Sequence, residues 1–339
     1  MNLSKQRGVS LVELMVAITI GLILLAGVFS IFFSSKVTYF ANEKTARLQE
    51  SGRVAIDLLA HDVRSAGYMG CARGSFNSLL NSSTTLLWNY SLPLQGFESD
   101  GVSAWSPAIT AGTLVPAPIA AGDIVVVRTV RRDALALRLE ADLAGLSSNP
   151  TTVHDPSIQA GQIMLITDCM VSTVFQVTGN TAGVITHATG GTSPGNSTTD
   201  LGKIFAEGAR LAPLETVTYY LANEPVTNEP SLYRQTGNTQ PADLLIEGVE
   251  GMQIAYGVDT GTDRIADEYR SAATVANWDR VLSVSISLLV RSAEEGNNID
   301  TNTYQLLPTA LGGKLVNPVD DRRMRMVFPT TIALRNRAL

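Results

Sequence analysis

The chain has 339 residues, of which 45% are hydrophobic and 17% charged, and its formal net charge is −6. A chain of this length holds one large domain or two ordinary ones, with a sizeable core. The negative charge argues against nonspecific binding to nucleic acid or to an anionic membrane surface. Two cysteines are too few for a disulfide scaffold, and the three histidines are far apart in sequence, which argues against a His-rich metal site.

The N-terminus combines a short basic segment with a long apolar one. Residues 1–8 are polar and include Lys5 and Arg7, whereas Glu13 is the only charged residue within 9–33. At about 1.5 Å per residue, a helix over 9–33 is about 37 Å long and can cross a hydrocarbon core of about 30 Å. The basic residues predict that the N-terminus stays in the cytoplasm and that the rest of the chain is exported.

Glu13 distinguishes three interpretations of this segment. A secretory signal peptide has an apolar region of about 7–15 residues and an A-x-A-like cleavage site, but this segment is longer and residues 26–28 match that site poorly. A plain membrane anchor fits the length and leaves Glu13 unexplained, although a carboxylate at mid-bilayer costs about 2.5–3.5 kcal/mol. We therefore favour a segment that uses Glu13 for a function.

Residues 5–14, with the sequence KQRGVSLVEL, resemble the type III signal of type IV prepilins and type II secretion pseudopilins. The resemblance implies that a prepilin peptidase cuts after Gly8, methylates the new N-terminus at Val9, and leaves Glu13 as the fifth residue of the mature chain. The family usually has phenylalanine at the position of Val9. This departure bears on methylation more than on cleavage.

The chemistry of Glu13 follows from this cleavage. Cutting after Gly8 frees an α-amino group, with a reference pKa of about 7.7–8.0, at the start of an apolar helix. A buried ammonium and a buried carboxylate each need a partner. Glu13 lies about one helical turn from its own amine, and a neighbouring subunit staggered along a filament could supply the amine instead. Such a pair penalises any docking that leaves either charge unmatched.

A helical pattern continues beyond the apolar segment, from Lys36 to Ala66. Apolar residues recur mostly three, four or seven positions apart, namely Val37, Phe40, Leu48, Ala55, Leu58, Leu59, Val63 and Ala66. Polar residues are predicted on the opposite side of the helix, namely Asn42, Lys44, Gln49, Asp57 and Asp62. Gly67 predicts the end of the helix. We expect one helix over about 9–66, half in lipid and half amphipathic.

The residues after Gly67 predict a β-rich domain. Residues 72–122 read as loops with short strands, and the Gly/Ser/Thr-rich residues 178–202 as a mobile loop or a hairpin. Strands are predicted over 123–130, 162–168, 171–178, 215–222, 244–257, 280–291 and 324–336. The strict alternation of residues 282–288 predicts one buried and one wetter sheet face. The predicted organisation is a leader at 1–8, a transmembrane half-helix at 9–35, an amphipathic half-helix at 36–66 and a periplasmic head at 67–339.

Three further segments, residues 62–71, 246–259 and 322–337, resemble the PilW-type minor pilins in the same order. This resemblance implies an α+β, pilin-like fold, in which a long N-terminal helix packs on a largely antiparallel β-sheet head. It also implies a minor pilin that joins other minor pilins in a complex priming pilus assembly, with the pilus tip as one expected location. The expected partners are the other minor pilins, the major pilin, the prepilin peptidase and the inner membrane.

Two other functions remain open. PilW-type proteins resemble the J-type minor pseudopilin of type II secretion, so that system is the nearest alternative. A membrane-tethered periplasmic adhesin or binding module that never polymerises is the second alternative. An uncut Gly8, or indifference to replacement of Glu13, would favour the second one.

The sequence contains no recognisable catalytic set. The glycine-rich residues 190–195 lack the lysine of a phosphate-binding loop. The acidic turn at 259–263, with Asp267 beyond it, lacks the full alternating ligand pattern of a calcium loop, so an ordinary turn is the favoured interpretation. The C-terminal arginines alternate with apolar residues and are interpreted as the wet face of a strand rather than a DNA-binding site. We expect no enzyme activity, cofactor, metal, small-molecule substrate or nucleic acid partner.

Cys71 and Cys169 are predicted to form one disulfide if the head is periplasmic. Cys71 follows the long helix and Cys169 ends a predicted strand, so the bridge would close a loop of about a hundred residues. The alternative is two unrelated buried thiols.

Overall fold

The computed structural model describes residues 10–71, 75–131, 133, 137–261 and 263–336. Within these residues, one long helix, α1 (Leu11–Ser65), precedes a head built from strands and three short 3₁₀ helices (Ala272–Thr274, Trp278–Arg280 and Thr309–Leu311). The strands, in chain order, are β1 (Ser75–Ser78), β2 (Leu94–Ser99), β3 (Trp105–Ser106), β4 (Ile124–Val130), β5 (Leu137–Arg138), β6 (Ile163–Thr167), β7 (Val171–Gln176), β8 (Gly179–Thr181), β9 (Val184–Thr186), β10 (Arg210–Asn223), β11 (Pro230–Thr236), β12 (Asp243–Glu247), β13 (Val249–Val258), β14 (Glu268–Arg270), β15 (Val281–Asp300), β16 (Tyr304–Gln305), β17 (Leu315–Val316) and β18 (Asp321–Ala333).

The helix α1 agrees closely with the predicted helix. It contains no proline, and it ends where Gly67 adopts a left-handed conformation with φ of 75°. Glycine takes this conformation without steric cost, which is why it so often follows a helix. The Gly67 N–H then donates to the carbonyl of Arg128 in β4, so the end of the helix is attached to the head.

Among the described residues, the larger sheet has ten strands, which are arranged around β10. The registers place β6 and β11 along one edge of β10, and β5 and β4 along the other edge. Outside these lie β7 and β1 beyond β6, β12 beyond β11, and β2 and β3 beyond β4. Among the described residues, every pair of named strands is antiparallel except β1 with β7. The predicted α+β fold, a long helix on a largely antiparallel sheet, is therefore confirmed.

The smaller sheet has the strand order β14-β13-β15-β18. Val284, Ile286 and Leu288 of β15 are fully buried, as the alternation predicts. The prediction of a wetter second face is wrong, because Ser285 and Ser287 are buried as well. On that face, Leu306 and Leu289 both lie against Gly251, which shows that the segment after β15 folds back over the sheet.

The largest core cluster lies between α1 and the two sheets. From α1 it contains Leu48, Ala55, Leu59, Ala60, Val63 and Ala66. Gly52 lies within this face, where a Cβ would stand 2.3 Å from the ring of Phe328 in β18, so the helix comes unusually close to the sheet. The predicted apolar face is wrong at Val37 and Phe40, near its start, and at Leu58 within it, since these three side chains are exposed. The head reaches only a narrow stripe of the helix.

The strand predictions differ from the structure in several places, of which the following matter most. Residues 244–257 form two strands rather than one, because Gly248, with φ of 81°, turns the chain from the larger sheet into the smaller one. The strand β11 was not predicted, and β15 extends nine residues' worth of chain beyond Arg291, to Asp300. Within 178–202, β8 and β9 form a hairpin in which Ile185 is buried.

Candidate assembly site

The first half of α1 exposes its apolar side chains. Among the described residues, α1 is the one helix whose length and apolar composition suffice to cross a membrane, and its most apolar window is not buried by the rest of the chain. Leu11, Ile23 and Ile31 are each about 70% exposed. In water such a surface would drive aggregation, so this half requires lipid or other helices as its surroundings.

Glu13 lies in the first turn of α1, within this apolar half. A carboxylate at a helix N-terminus is favoured by the helix dipole. Gly8 and Val9, the predicted processing residues, lie outside the described residues, so the structure does not place them relative to Glu13. The pairing of Glu13 with a mature N-terminus stays a prediction.

The second half of α1 is fixed to the head by a buried carboxylate. Asp62, only 6% exposed, accepts a hydrogen bond of 2.6 Å from the Tyr219 hydroxyl and one of 3.2 Å from Nε of Arg234. Burial and the charge of Asp62 raise the pKa of the Tyr219 hydroxyl. The placement of Asp62 on the polar side of the helix was therefore wrong. The sequence carried a signal, because Leu59, Asp62, Val63 and Ala66 are spaced as one helical face.

The second half of β15 also contacts the helix. Lys44 of α1 donates to the carbonyl of Glu295 and lies 3.8 Å from the carboxylate of Glu294. The head is therefore attached to α1 at two positions along one continuous helix, Lys44 and Asp62. The orientation of the head therefore follows that of the exposed apolar half of α1.

The C-terminal arginines are not simply a wet strand face. The side chain of Arg325 is 1% exposed and is bound by three carboxylates, those of Glu250, Asp300 and Asp321. Burial opposes the charged form, but the hydrogen bonds to Asp321 and Glu250 prevail and raise the pKa of Arg325. Arg323 pairs with Glu229. Arg323 and Arg325 are neutralised by carboxylates of the same chain, so their role is to stabilise the fold.

Cys71 and Cys169 form a disulfide in the structure, with their Cα atoms 4.9 Å apart. Cys71 lies just after the end of α1, and Cys169 lies in the turn between β6 and β7. The bridge therefore ties the end of the helix to the edge region of the larger sheet.

The acidic turn has its own hydrogen-bond donors. Oδ2 of Asp267 accepts from the backbone N–H of Thr260 and Gly261 and from the hydroxyl of Thr260. Across the described part of the chain, no group of three His, Cys, Asp or Glu side chains is placed to hold a metal ion. These hydrogen bonds account for the acidic residue at position 267 of the turn.

The comparisons with known proteins agree with this architecture. The family model for type IV pilus-assembly protein W matches residues 218–336, which cover the end of β10, β11, β12 and the smaller sheet. The model for the prokaryotic N-terminal methylation motif matches residues 3–29. Neither model covers residues 30–217. No curated protein matches the chain.

Among solved structures, the chain is similar to a type IV-like pilin from Thermus thermophilus. The identity is 11%, the alignment covers 86% of this chain and 98% of that one, and the TM-score is 0.36. The assignment therefore rests on the two sequence models, which match the N-terminus and the C-terminal third. They confirm the predicted resemblance: the C-terminal third of the chain is similar to the type IV pilus-assembly protein W family, and the N-terminus carries the prokaryotic N-terminal methylation motif.

Proposed function

We propose that the mature chain is a minor pilin that joins other minor pilins in a complex priming type IV pilus assembly. The head would lie in the periplasm before assembly and at the pilus tip afterwards. The observation that carries this proposal is the form of α1, whose first half is exposed apolar surface and whose second half is fixed to the head.

This form suits a subunit that moves from a membrane into a filament. The apolar half is stable in lipid and equally stable among the apolar helices of other subunits. Because the head is tied to α1 through Asp62 and Lys44, the packing of the helix sets the position of the head. A structural role of this kind needs no catalytic residues.

The size of the head supports a minor rather than a major subunit. The head begins after Gly67 and contains two main sheets and several separate core clusters. A head this large, repeated at every position of a tight helical filament, would crowd its neighbours. At a single place in the filament it has room.

Replacement of Glu13 tests the proposal. We expect Glu13→Gln and Glu13→Ala to leave membrane insertion intact or improved, because an uncharged side chain crosses lipid at lower cost. Incorporation into pili should fall, because only the assembled state uses the carboxylate. The measurement is the amount of the protein in the membrane fraction and in sheared pili, together with pilus number.

Glu50→Gln is the matched control, since Glu50 is exposed on the same helix. It should leave both fractions unchanged. Normal pilus number together with normal recovery of the Glu13 variants in sheared pili would refute the proposal and favour a tethered adhesin.

Processing provides a second test. The mature N-terminus should be Val9, and loss of Lys5 and Arg7 should shift the formal charge from −6 to −8, that is −6 minus 2. N-terminal sequencing of the membrane-extracted protein measures this directly. An intact Met1, or cleavage near residue 28, would contradict the prepilin interpretation.

A further inference from the structure

A groove runs between α1 and the outermost strand of the larger sheet. Phe40, Lys44 and Leu48 of α1 form one wall, and β12 forms the other. Residues 291–294 of β15 close the floor, and the cavity has a volume of about 530 Å³. The groove begins at Phe40, the last of the exposed aromatic residues of α1.

The strand β12 presents an unpaired edge to this groove. In the part of the chain that the structure describes, β12 pairs with β11 alone. Its central residues, Leu244, Leu245 and Ile246, line the groove, and Leu244 is 38% exposed. The register with β11 shifts at the centre of β12, where Leu245 has no partner, so the strand carries a one-residue bulge. A strand edge that no named strand covers, beside half-buried apolar side chains, is what a further strand needs for pairing.

Two acidic residues flank the apolar centre of β12. Asp243 and Glu247 are both exposed, and within the described ranges neither side chain has a hydrogen bond or an ion pair. The basic residues of the groove are already neutralised: Arg47 pairs with Glu43, Lys44 with Glu294, and Arg291 with Glu229 and Glu250. The charge that remains unmatched at this edge is therefore negative.

This charge pattern selects between possible partners. If two copies of β12 paired antiparallel about Leu245, Asp243 of each would face Glu247 of the other. Like charges directly opposed across a strand pair are destabilising, and charged residues on an edge are a common protection against self-association. The same two acids would attract a strand with a basic residue at each end.

We propose that β12 accepts an outer strand from a non-identical subunit, an extended apolar segment with a lysine or arginine at each end. The identification of the donor as another pilin rests on the proposed function. The preference of this edge for a strand with a basic residue at each end rests on Asp243 and Glu247 alone. It can therefore be tested on the purified protein, without pili.

The test uses the full chain in nonionic detergent micelles and two short blocked peptides of alternating valine and threonine. One peptide has a lysine at each end and the other a glutamate at each end. Fluorescence anisotropy should show that the lysine peptide binds at least about tenfold more tightly. In the double variant Asp243→Lys/Glu247→Lys, the order of the two peptides should reverse.

The matched control is Glu140→Lys/Glu207→Lys, which makes the same charge change near β5, at the opposite end of β10. It should bind as the unaltered chain does. Hydrogen exchange should slow at residues 243–247 when the lysine peptide binds, which locates it at β12. Equal binding of both peptides, binding of neither, an unchanged order in the double variant, or dimers of the unaltered chain through β12 would each overturn the proposal.

Discussion

A single carboxylate, that of Asp62, joins the helix α1 to the larger sheet by two hydrogen bonds. It is buried and accepts from Tyr219 of β10 and Arg234 of β11, two neighbouring strands. Removing one member of such a buried, charged hydrogen-bond set leaves the others unsatisfied.

We expect Asp62→Asn to lower the free energy of unfolding by about 2–3 kcal/mol. Asp57→Asn on the same helix is the control, because Asp57 and its partner Arg53 are both highly exposed and 3.9 Å apart. Its effect should stay below about 0.5 kcal/mol. Urea unfolding of the full chain in nonionic micelles measures both, and equal effects of the two variants would contradict the role of Asp62.

A second buried carboxylate joins the two sheets. Asp123, which directly precedes β4, accepts from the backbone N–H of Ser99 at 2.9 Å and of Ile254 at 2.8 Å. Ser99 belongs to the larger sheet and Ile254 to the smaller one. Burial raises the pKa of the Asp123 carboxyl to about 7, and the charge of Glu98 adds to the rise. The two N–H groups and Lys314 oppose it.

This raised pKa predicts the pH dependence of stability. The folded protein holds the proton of Asp123 up to about pH 7, whereas the unfolded chain releases it near pH 4. The folded state thus binds more protons between these values, so stability falls as pH rises through that window, by at most about 1.4 kcal/mol per pH unit. The contribution is fully present below pH 4 and lost above pH 7.

The measurement compares the unaltered chain with Asp123→Asn, in which this position does not titrate. In the variant, the amide N–H₂ of asparagine faces one of the two backbone N–H groups, and two donors cannot bond to each other. The variant therefore loses unfolding free energy by an amount that does not depend on pH. The difference in unfolding free energy between the two proteins should shrink from about pH 5 to about pH 8. A constant difference over that range would show that Asp123 does not titrate there.

The disulfide acts at the scale of whole elements. It connects the end of α1 with the β6–β7 turn across a sequence separation of 98 residues. Closing a loop of this length lowers the conformational entropy of the unfolded chain and so stabilises the folded state. We expect Cys71→Ser/Cys169→Ser to lower the free energy of unfolding by about 2–4 kcal/mol, as urea unfolding would measure.

Alkylation of the denatured, unreduced protein shows whether the bond is present in the protein from its natural compartment. We expect no labelled cysteine, and two after reduction. Two labelled cysteines without reduction would mean that the thiols are free, and the double replacement should then have little effect.

At the scale of the whole molecule, the head is expected to associate with unlike subunits. A chain truncated to begin at Lys36 lacks the exposed apolar half of α1 and should be soluble. Alone it should be monomeric, because its free strand edge is acidic at both ends. Mixed with the heads of other minor pilins from the same operon, it should form a stoichiometric complex, with its mass measured by light scattering. Homopolymers, or no association at tens of micromolar, would contradict the priming role.

The local features of this protein follow from its sequence alone. The apolar segment, the helical spacing after it and the absence of proline predict α1 almost to the residue, because a helix is set by local periodicity. The positions of most of the longer strands along the chain are predicted for the same reason. Gly67 predicts the end of the helix because its left-handed conformation is a local property.

The tertiary structure decides what depends on long-range contacts. Asp62 is polar in sequence yet buried, because Tyr219 and Arg234 reach it from strands far along the chain. Arg325 is buried for the same reason, and residues 244–257 divide at Gly248 because the two parts belong to different sheets. The acidic edge of β12 becomes a candidate interface only when the fold leaves it unpaired. Hydrophobic period encodes which residues are helical or extended, but not which partners a charged side chain or a strand edge will meet.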